Sequence, residues 1–257
     1  MSVPSLRARV RAETVEEIRT IAKRHLATDG ANLSLRAVAR DAGLVPSALY
    51  RYFPNRDALL TALITDAYTA LAASATAAEA AVPRDDLPAR LLSLGHGVRS
   101  WARAHPAEYA LIYGSPVPSY TAPQETLVPA SEVVMTLIGI LFDGAERGLR
   151  PAAPPRLLPP AIHAELHRLL DQSPRPKPAG TEPAPEMVIA TAFTLWIQLF
   201  GLVSFEVFGR LDDLIEERQA YFEHQMLVMA DFAGLTAVAP SLSCSRVSVT
   251  DGGKGPR

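Results

Sequence analysis

The sequence has little of what covalent and catalytic devices are built from. Its single cysteine, Cys244, lies in a polar C-terminal stretch, so an intrachain disulfide is excluded and nothing implies an oxidising compartment. It contains no glycine-rich phosphate loop and no Gly-x-Ser-x-Gly turn for a nucleophile, and neither a catalytic site nor a cofactor is expected. The first 24 residues carry charges throughout and lack the apolar core of a secretory signal, which makes the cytoplasm the expected location. Period-two alternation long enough for a strand is also missing.

What is present is helical periodicity along a chain of 257 residues, 48% of them hydrophobic, enough to bury a substantial core. The fold class reads as all-α. A first helix is expected from about Val10 to Thr28, with Val15, Ile18, Ile21, Ala22 and Leu26 on one face and Gly30 ending it. Further helices are expected at about Asn55 to Ala78, Leu87 to Arg103, after Pro106, Gln124 to Arg147, Ala161 to Gln172, Glu186 to Phe208 and Asp212 to Gly234. Ten prolines between 151 and 185 confine that region to loops around one helix. The Ser, Gly and Pro content from about Ala237 onward reads as a disordered tail. Met187 to Phe205 is uncharged and long enough to span a membrane, but Thr191, Thr194, Gln198 and Ser204 fit a helix buried by other helices better; no membrane partner is expected.

Charge is divided unevenly. Residues 1–60 hold ten Arg and Lys against six acids, a net of +4, and the remainder holds fifteen against twenty-one, a net of −6. A cationic module on an anionic body suits a polyanion at one end only, although such asymmetry also arises without function.

The informative segment is Ser34 to Leu60, SLRAVARDAGLVPSALYRYFPNRDALL. Ser34 is a good N-cap, and Leu35, Val38, Ala39 and Ala42 make an apolar face for a short helix. Gly43 supplies a sharp turn, and Pro46 suits the first turn of a second short helix, where its missing N–H costs nothing. Val45, Leu49, Tyr52 and Phe53 are placed inward, and Pro46, Ser47, Tyr50 and Arg51 outward. Two short helices joined by a tight glycine turn and preceded by a supporting helix form a helix-turn-helix, whose second helix enters the major groove of DNA. Ser47 and Ala48 are small enough for close approach to base edges, while Tyr50 and Arg51 suit phosphate oxygens. Asn55 caps the following helix and puts Arg56 at its start. Taken singly, Arg51 and Arg56 also read as solvated helix faces; their place in this pattern favours the phosphate role.

AVARDAGLVPSALYRYFPNRDALL resembles the DNA-binding signature of tetracycline-repressor (TetR) family regulators, close to VAxxAGVSxxxLYxxFxxKxxLL. The resemblance implies a DNA-binding regulator that holds a palindromic double-stranded operator as a homodimer, without enzymatic activity. Residue by residue, it assigns Val45, Pro46, Ser47 and Ala48 to the groove and Tyr50 and Tyr52 to phosphate, with Arg56 where the family usually has Lys. Val45 and Pro46 replace the usual polar pair, so base readout is expected to lean on Ser47, Arg36 and DNA shape. Ser34, Arg36, Arg51 and Arg56 complete the candidate set. WARAHPAEYALIYGSPVPSY and WIQLFGLVSFEVFG resemble, more loosely, the ligand domain of the subgroup whose second piece carries W followed shortly by HG. Phe200 stands in place of that His, which points to an apolar ligand.

The implied organisation is an N-terminal three-helix helix-turn-helix domain over 1–60, a C-terminal helical-bundle ligand and dimerisation domain over 61–235, and a tail over 236–257. Trp101, Tyr109, Tyr113, Tyr120, Phe193, Trp196 and Phe200 read singly as core and together as the candidate pocket for a small, largely hydrophobic inducer. The two last helices are too apolar for one protomer and are expected to form a four-helix dimer interface. The helix from Asn55 is the expected lever between pocket and DNA. His163 and His167 share a helix face, but no third ligand is visible and HxExH is not the zinc-protease HExxH, so no metal is expected and a solvated face is the simpler reading. A regulator of the same fold that ignores ligands, or activates, shares every one of these features, and a membrane-bound protein would use Met187 to Phe205. These roles separate under substitution: Arg56→Ala should weaken binding to all duplexes about equally, and Ser47→Ala should change base preference, both read from fluorescence anisotropy on operator and scrambled DNA.

Overall fold

The computed structural model of the chain describes residues 5–30, 32–150, 158–172 and 185–236. Among these it is all-α, with no strand. The helices are α1 (Leu6–Asp29), α2 (Leu35–Asp41), α3 (Pro46–Leu49), α4 (Arg56–Ala80), α5 (Leu87–Ala104), α6 (Pro106–Tyr113), α7 (Leu127–Glu146), α8 (Pro160–Gln172), α9 (Pro185–Val207) and α10 (Arg218–Phe232). The tail expected from Ala237 and most of the proline-rich loops lie outside the described residues.

Two ends differ from expectation. α1 begins at Leu6, a turn sooner, because Ser5 caps it by accepting from the Ala8 N–H at 3.3 Å; its first turns are exposed, so apolar periodicity had nothing to mark there. α10 begins at Arg218, six residues later than Asp212. A helix over 212–217 would stack Asp212 on Glu216 and Asp213 on Glu217 at the repulsive i,i+4 spacing, and the segment instead forms turns after Gly209, whose φ is +71°.

Two hydrophobic cores result. The first gathers Ile18, Leu26, Val38, Leu49, Phe53 and Leu59 from α1 to α4 and their surroundings, together with Leu111 of α6. The second runs from Ala67 of α4 through α5, α7, α9 and α10 to Leu235. α4, residues 124–146 and residues 186–207 are each long and apolar enough to cross a membrane by length and composition; here α4 packs on α7 and α7 on α9.

α5 is central, and two buried arginines on it fix its neighbours. Arg90 meets Glu79 of α4 at 2.6 Å and Asp143 of α7 at 2.7 Å. Arg99 holds Glu206 of α9 by two bonds of 2.6 and 2.7 Å and also donates to Gln219 of α10. Nine residues separate them, about two and a half turns, so they serve opposite sides of the helix. Between them, Gly97 lets α4 and α5 touch: a Cβ there would lie 2.7 Å from Ala75 Cα and Ser74 O. Because backbone cannot yield as a side chain can, Gly97→Ala should cost about 1–3 kcal/mol in urea unfolding. Gly95→Ala, which meets only the Met226 and Phe222 side chains, should cost less.

Candidate functional site

The helix-turn-helix is assembled from short-range devices. Ser34 accepts from the Ala37 N–H at 3.4 Å to start α2. Gly43, at φ +66°, turns the chain, and the Leu44 N–H donates to Ala39 O at 2.9 Å. α2 is tied to α1 through His25, whose Nε2 lies 2.8 Å from Asp41; Arg40, with His25 adding to it, holds the Asp41 carboxyl below its ordinary range. Leu49 and Phe53 anchor α3 in the first core. Asn55 accepts from Ala58 N–H at 2.8 Å to cap α4, with Arg56 at its first position. Expected inward, Val45 is instead 66% exposed: it occupies the extended N-cap position of α3, off the helical stripe that Leu49 continues. Tyr52 is half-buried, with the Arg11 guanidinium 5.0 Å above its ring.

The outer surface therefore carries Arg36, Val45, Pro46, Ser47, Tyr50 and Arg51, all exposed, with Ala48 and Arg56 half-buried at its edge. Residues 42–56 contain no Asp or Glu; Arg56 lies 3.9 Å from the Asp57 carboxylate just beyond them. This is a surface for a polyanion read along a groove.

In the second core five of the seven candidate pocket residues come together, while Tyr120 packs on the first core with its hydroxyl 3.0 Å from that of Thr61. Tyr109 lies 5.2 Å from Tyr113, Tyr113 stacks on Phe200 at 4.3 Å, and Trp196 bridges Phe200 and Phe193 at 6.1 and 6.2 Å. Trp101 stands apart, stacked on His105 at 4.9 Å. Tyr68 of α4 meets Tyr113 edge-on at 5.9 Å and donates to Ile112 O at 3.3 Å. Sequence reading missed Tyr68, and it missed that α6 belongs to both cores: Tyr109 and Tyr113 face this cluster while Leu111 lies in the first core. The signal was there in PAEYALIY, apolar almost all round, which marks a helix buried on more than one side. The cluster is packed closed. A crevice of ≈ 20 Å³, about one water, lies elsewhere, lined by Leu141, Gly144, Val188 and Leu235 among others. The Trp196 Nε1–H is buried beside the Tyr113 hydroxyl, without a hydrogen bond of regular geometry.

Comparison with known proteins places this geometry. Residues 18–63 match the family of bacterial regulatory proteins, tetR family, and residues 91–229 match the tetracyclin repressor-like C-terminal domain. The HTH-type transcriptional regulators Rv1816 of Mycobacterium tuberculosis and Mb1846 of Mycobacterium bovis are each 33% identical over 229 residues, 85% of this chain and 90% of theirs. The chain belongs to the TetR family. A crystal structure of the regulatory protein SCO4313 superposes with a TM-score of 0.69 at 32% identity, covering 88% of this chain and 98% of that one. A tetR-family protein from Rhodococcus RHA1, 15% identical with a TM-score of 0.57, shares the fold.

This TetR-family chain is a helix-turn-helix transcriptional regulator rather than an enzyme. His163 and His167 lie on an exposed helix face, as expected, and also reach the next helix: His167 Nδ1 lies 2.6 Å from Glu186, and His163 Nε2 3.9 Å from it, tying α8 to α9. The His167 bond, with a backbone bond, holds the Glu186 carboxyl below its ordinary range. Among the described residues no group of three such side chains is placed to hold a metal.

The cluster makes the TetR-family regulator sensitive to alkali. Tyr109 is fully buried, donates to Phe200 O at 3.2 Å and pairs with Ser204 at 2.9 Å. Burial pushes its phenol up to about 12 and Tyr113 higher still. The folded state thus prefers the neutral forms, a preference fully present below the unfolded value of about 10 and lost as pH rises through the folded one. Phenolate absorbance followed from about pH 9 to 13 should show part of the seven tyrosines ionising only together with loss of helical circular dichroism. Tyr109→Phe should narrow the stability lost over that range.

Proposed function

We propose that this regulator holds a pseudo-palindromic double-stranded operator as a homodimer in the cytoplasm and releases it when a small, largely hydrophobic inducer enters the aromatic cluster. The DNA-binding unit is 1–60 and the ligand and dimerisation unit 61–235, with 236–257 a tail. Ser34, Arg36, Val45, Pro46, Ser47, Ala48, Tyr50, Arg51 and Arg56 serve the DNA face, Tyr52 acting through its packing with Arg11. The observation that carries the switch is the double membership of α6. Prising Tyr113 from Phe200 or Tyr68 moves the helix that seats Leu111 in the DNA-binding core. A ligand acts only by its preference for that displaced arrangement. With Phe200 rather than a polar residue in the cluster, the preferred ligand is apolar.

Dimerisation is supported by an uncovered apolar stripe. Ile197 and Phe205 of α9 are 65% and 56% exposed, Gly201 between them faces open space, and Leu227 and Phe232 of α10 are exposed beside them. Two such helix pairs bury each other in a four-helix interface, and DNA half-sites on one face call for two copies. No membrane partner is proposed, since the long apolar helices pack on one another.

The closed packing of the cluster also favours a second reading, a regulator of this fold that ignores ligands. Anisotropy of a duplex from the region upstream of the gene's own start codon decides between them when titrated with a panel of uncharged apolar compounds. An inducer should lower DNA affinity and quench Trp196 in a Trp101→Phe background. Trp196→Ala or Phe200→Ala should then alter that response while leaving DNA affinity within about tenfold, ~1.4 kcal/mol. No response across the panel favours the second reading. Phe205→Asp should yield a monomer in sedimentation with much weakened operator binding; a wild-type monomer at micromolar concentration would overturn the dimer.

A further inference from the structure

α1 does more than support the motif. Near its start, Arg11 donates to Arg51 O at 3.3 Å and covers the Tyr52 ring, which places this turn level with the end of the recognition helix. Further along, Arg19 reaches Asp66, ten residues into α4, at 3.5 Å, and α1 packs against α6. α1 therefore runs from the DNA face toward the body, and its first residues overshoot the recognition helix on the DNA side. From Leu6 to Arg11 that overhang is about 7.5 Å. On this overhang Arg7 lies about 20° around the helix from Ile18 and about 40° from Arg11, and is exposed. No carboxylate occupies the first turn, and among the described residues Arg7 has no ion pair.

We infer that Arg7 grips the DNA phosphate backbone outside the major-groove segment read by α3, with Arg11 as the positioning residue that locks α1 against Arg51 and Tyr52. Phosphate is the chemistry recognised, because a guanidinium carried beside the recognition surface meets the backbone before any base edge. The inference rests on the chain being a DNA-binding regulator and not on its inducer or its operator. Arg9, about 200° around the helix from Arg7, carries the same charge on the opposite side and supplies the control.

Anisotropy tests this with duplexes of about 40 base pairs, one from upstream of the gene's own start codon and one scrambled, over a range of KCl. Arg7→Gln keeps a good helix former and should weaken binding to both duplexes about three- to tenfold. It should also make the slope of log K against log salt shallower by about one, while Arg7→Lys restores most of the affinity. Arg9→Gln should stay within about twofold of wild type with an unchanged slope. Equal effects of Arg7→Gln and Arg9→Gln, or an unchanged slope in Arg7→Gln, would overturn the contact. Wild type that fails to prefer its own duplex would count against the operator alone, since the Arg7 effect is read equally on scrambled DNA.

Discussion

One rigid helix shared by two hydrophobic cores governs how this molecule can move. α4 has 25 residues, about 37 Å of continuous helix. Its first half supplies Leu59, Leu60, Leu63 and Ile64 to the DNA-binding core, and its second half supplies Ala67, Leu71, Ala72 and Ala75 to the body. A rod packed at both ends cannot bend to accommodate one core alone. Any change in how one core packs against α4 is felt by the other, because close-packed interiors transmit displacement instead of absorbing it.

The far end of that rod is held more firmly than the near end. Glu79 is bound by buried Arg90, which also binds Asp143, and Ala75 is in backbone contact at Gly97. Separating a buried ion pair leaves an uncompensated charge, at a cost of about 3–5 kcal/mol, whereas the near end leans on apolar contacts, on the Thr61 to Tyr120 hydroxyl pair at 3.0 Å and on the looser, partly exposed Arg19–Asp66 pair at 3.5 Å. A displacement of α4 would therefore be felt most toward Arg56, at its start. α6 touches it at the middle, through Tyr113 against Tyr68, and Leu111 joins the first core.

The parts legible in the sequence are those fixed by local chemistry. Ser34, Gly43, Pro46 and Asn55 each dictate a cap or a turn within four residues, and the spacing of Val38, Leu49 and Phe53 specifies which sides face inward; all are found as read. Val45 failed because an N-cap leaves the helical stripe that periodicity assumes. The start of α10 failed because apolar Leu211, Leu214 and Ile215 mimic a helix while their acidic neighbours forbid one. At the cluster, the aromatic count suggested seven partners, but Trp101 is taken by His105, four residues on at the end of the same helix, an i,i+4 contact that a count of aromatics passes over. The partners of Arg90 and Arg99 lie up to 120 residues away, beyond any periodicity.

The indole N–H of Trp196 meets the Tyr113 hydroxyl inside the cluster, though without regular hydrogen-bond geometry. Natural cores rarely leave a buried donor unpaired, and the stacked ring of Phe200 offers the indole no acceptor of its own, so the Tyr113 oxygen is the polar atom that serves it. Tyr113 is in turn buried deeply enough that its phenol is pushed far above its ordinary value. Spreading Tyr113 from Phe200 would forfeit one stacking contact, worth about 0.5–1.5 kcal/mol, together with this polar contact, worth about 1 kcal/mol. Both are small compared with the buried ion pairs that clamp α5, at about 3–5 kcal/mol each, so opening the cluster need not loosen the body that frames it.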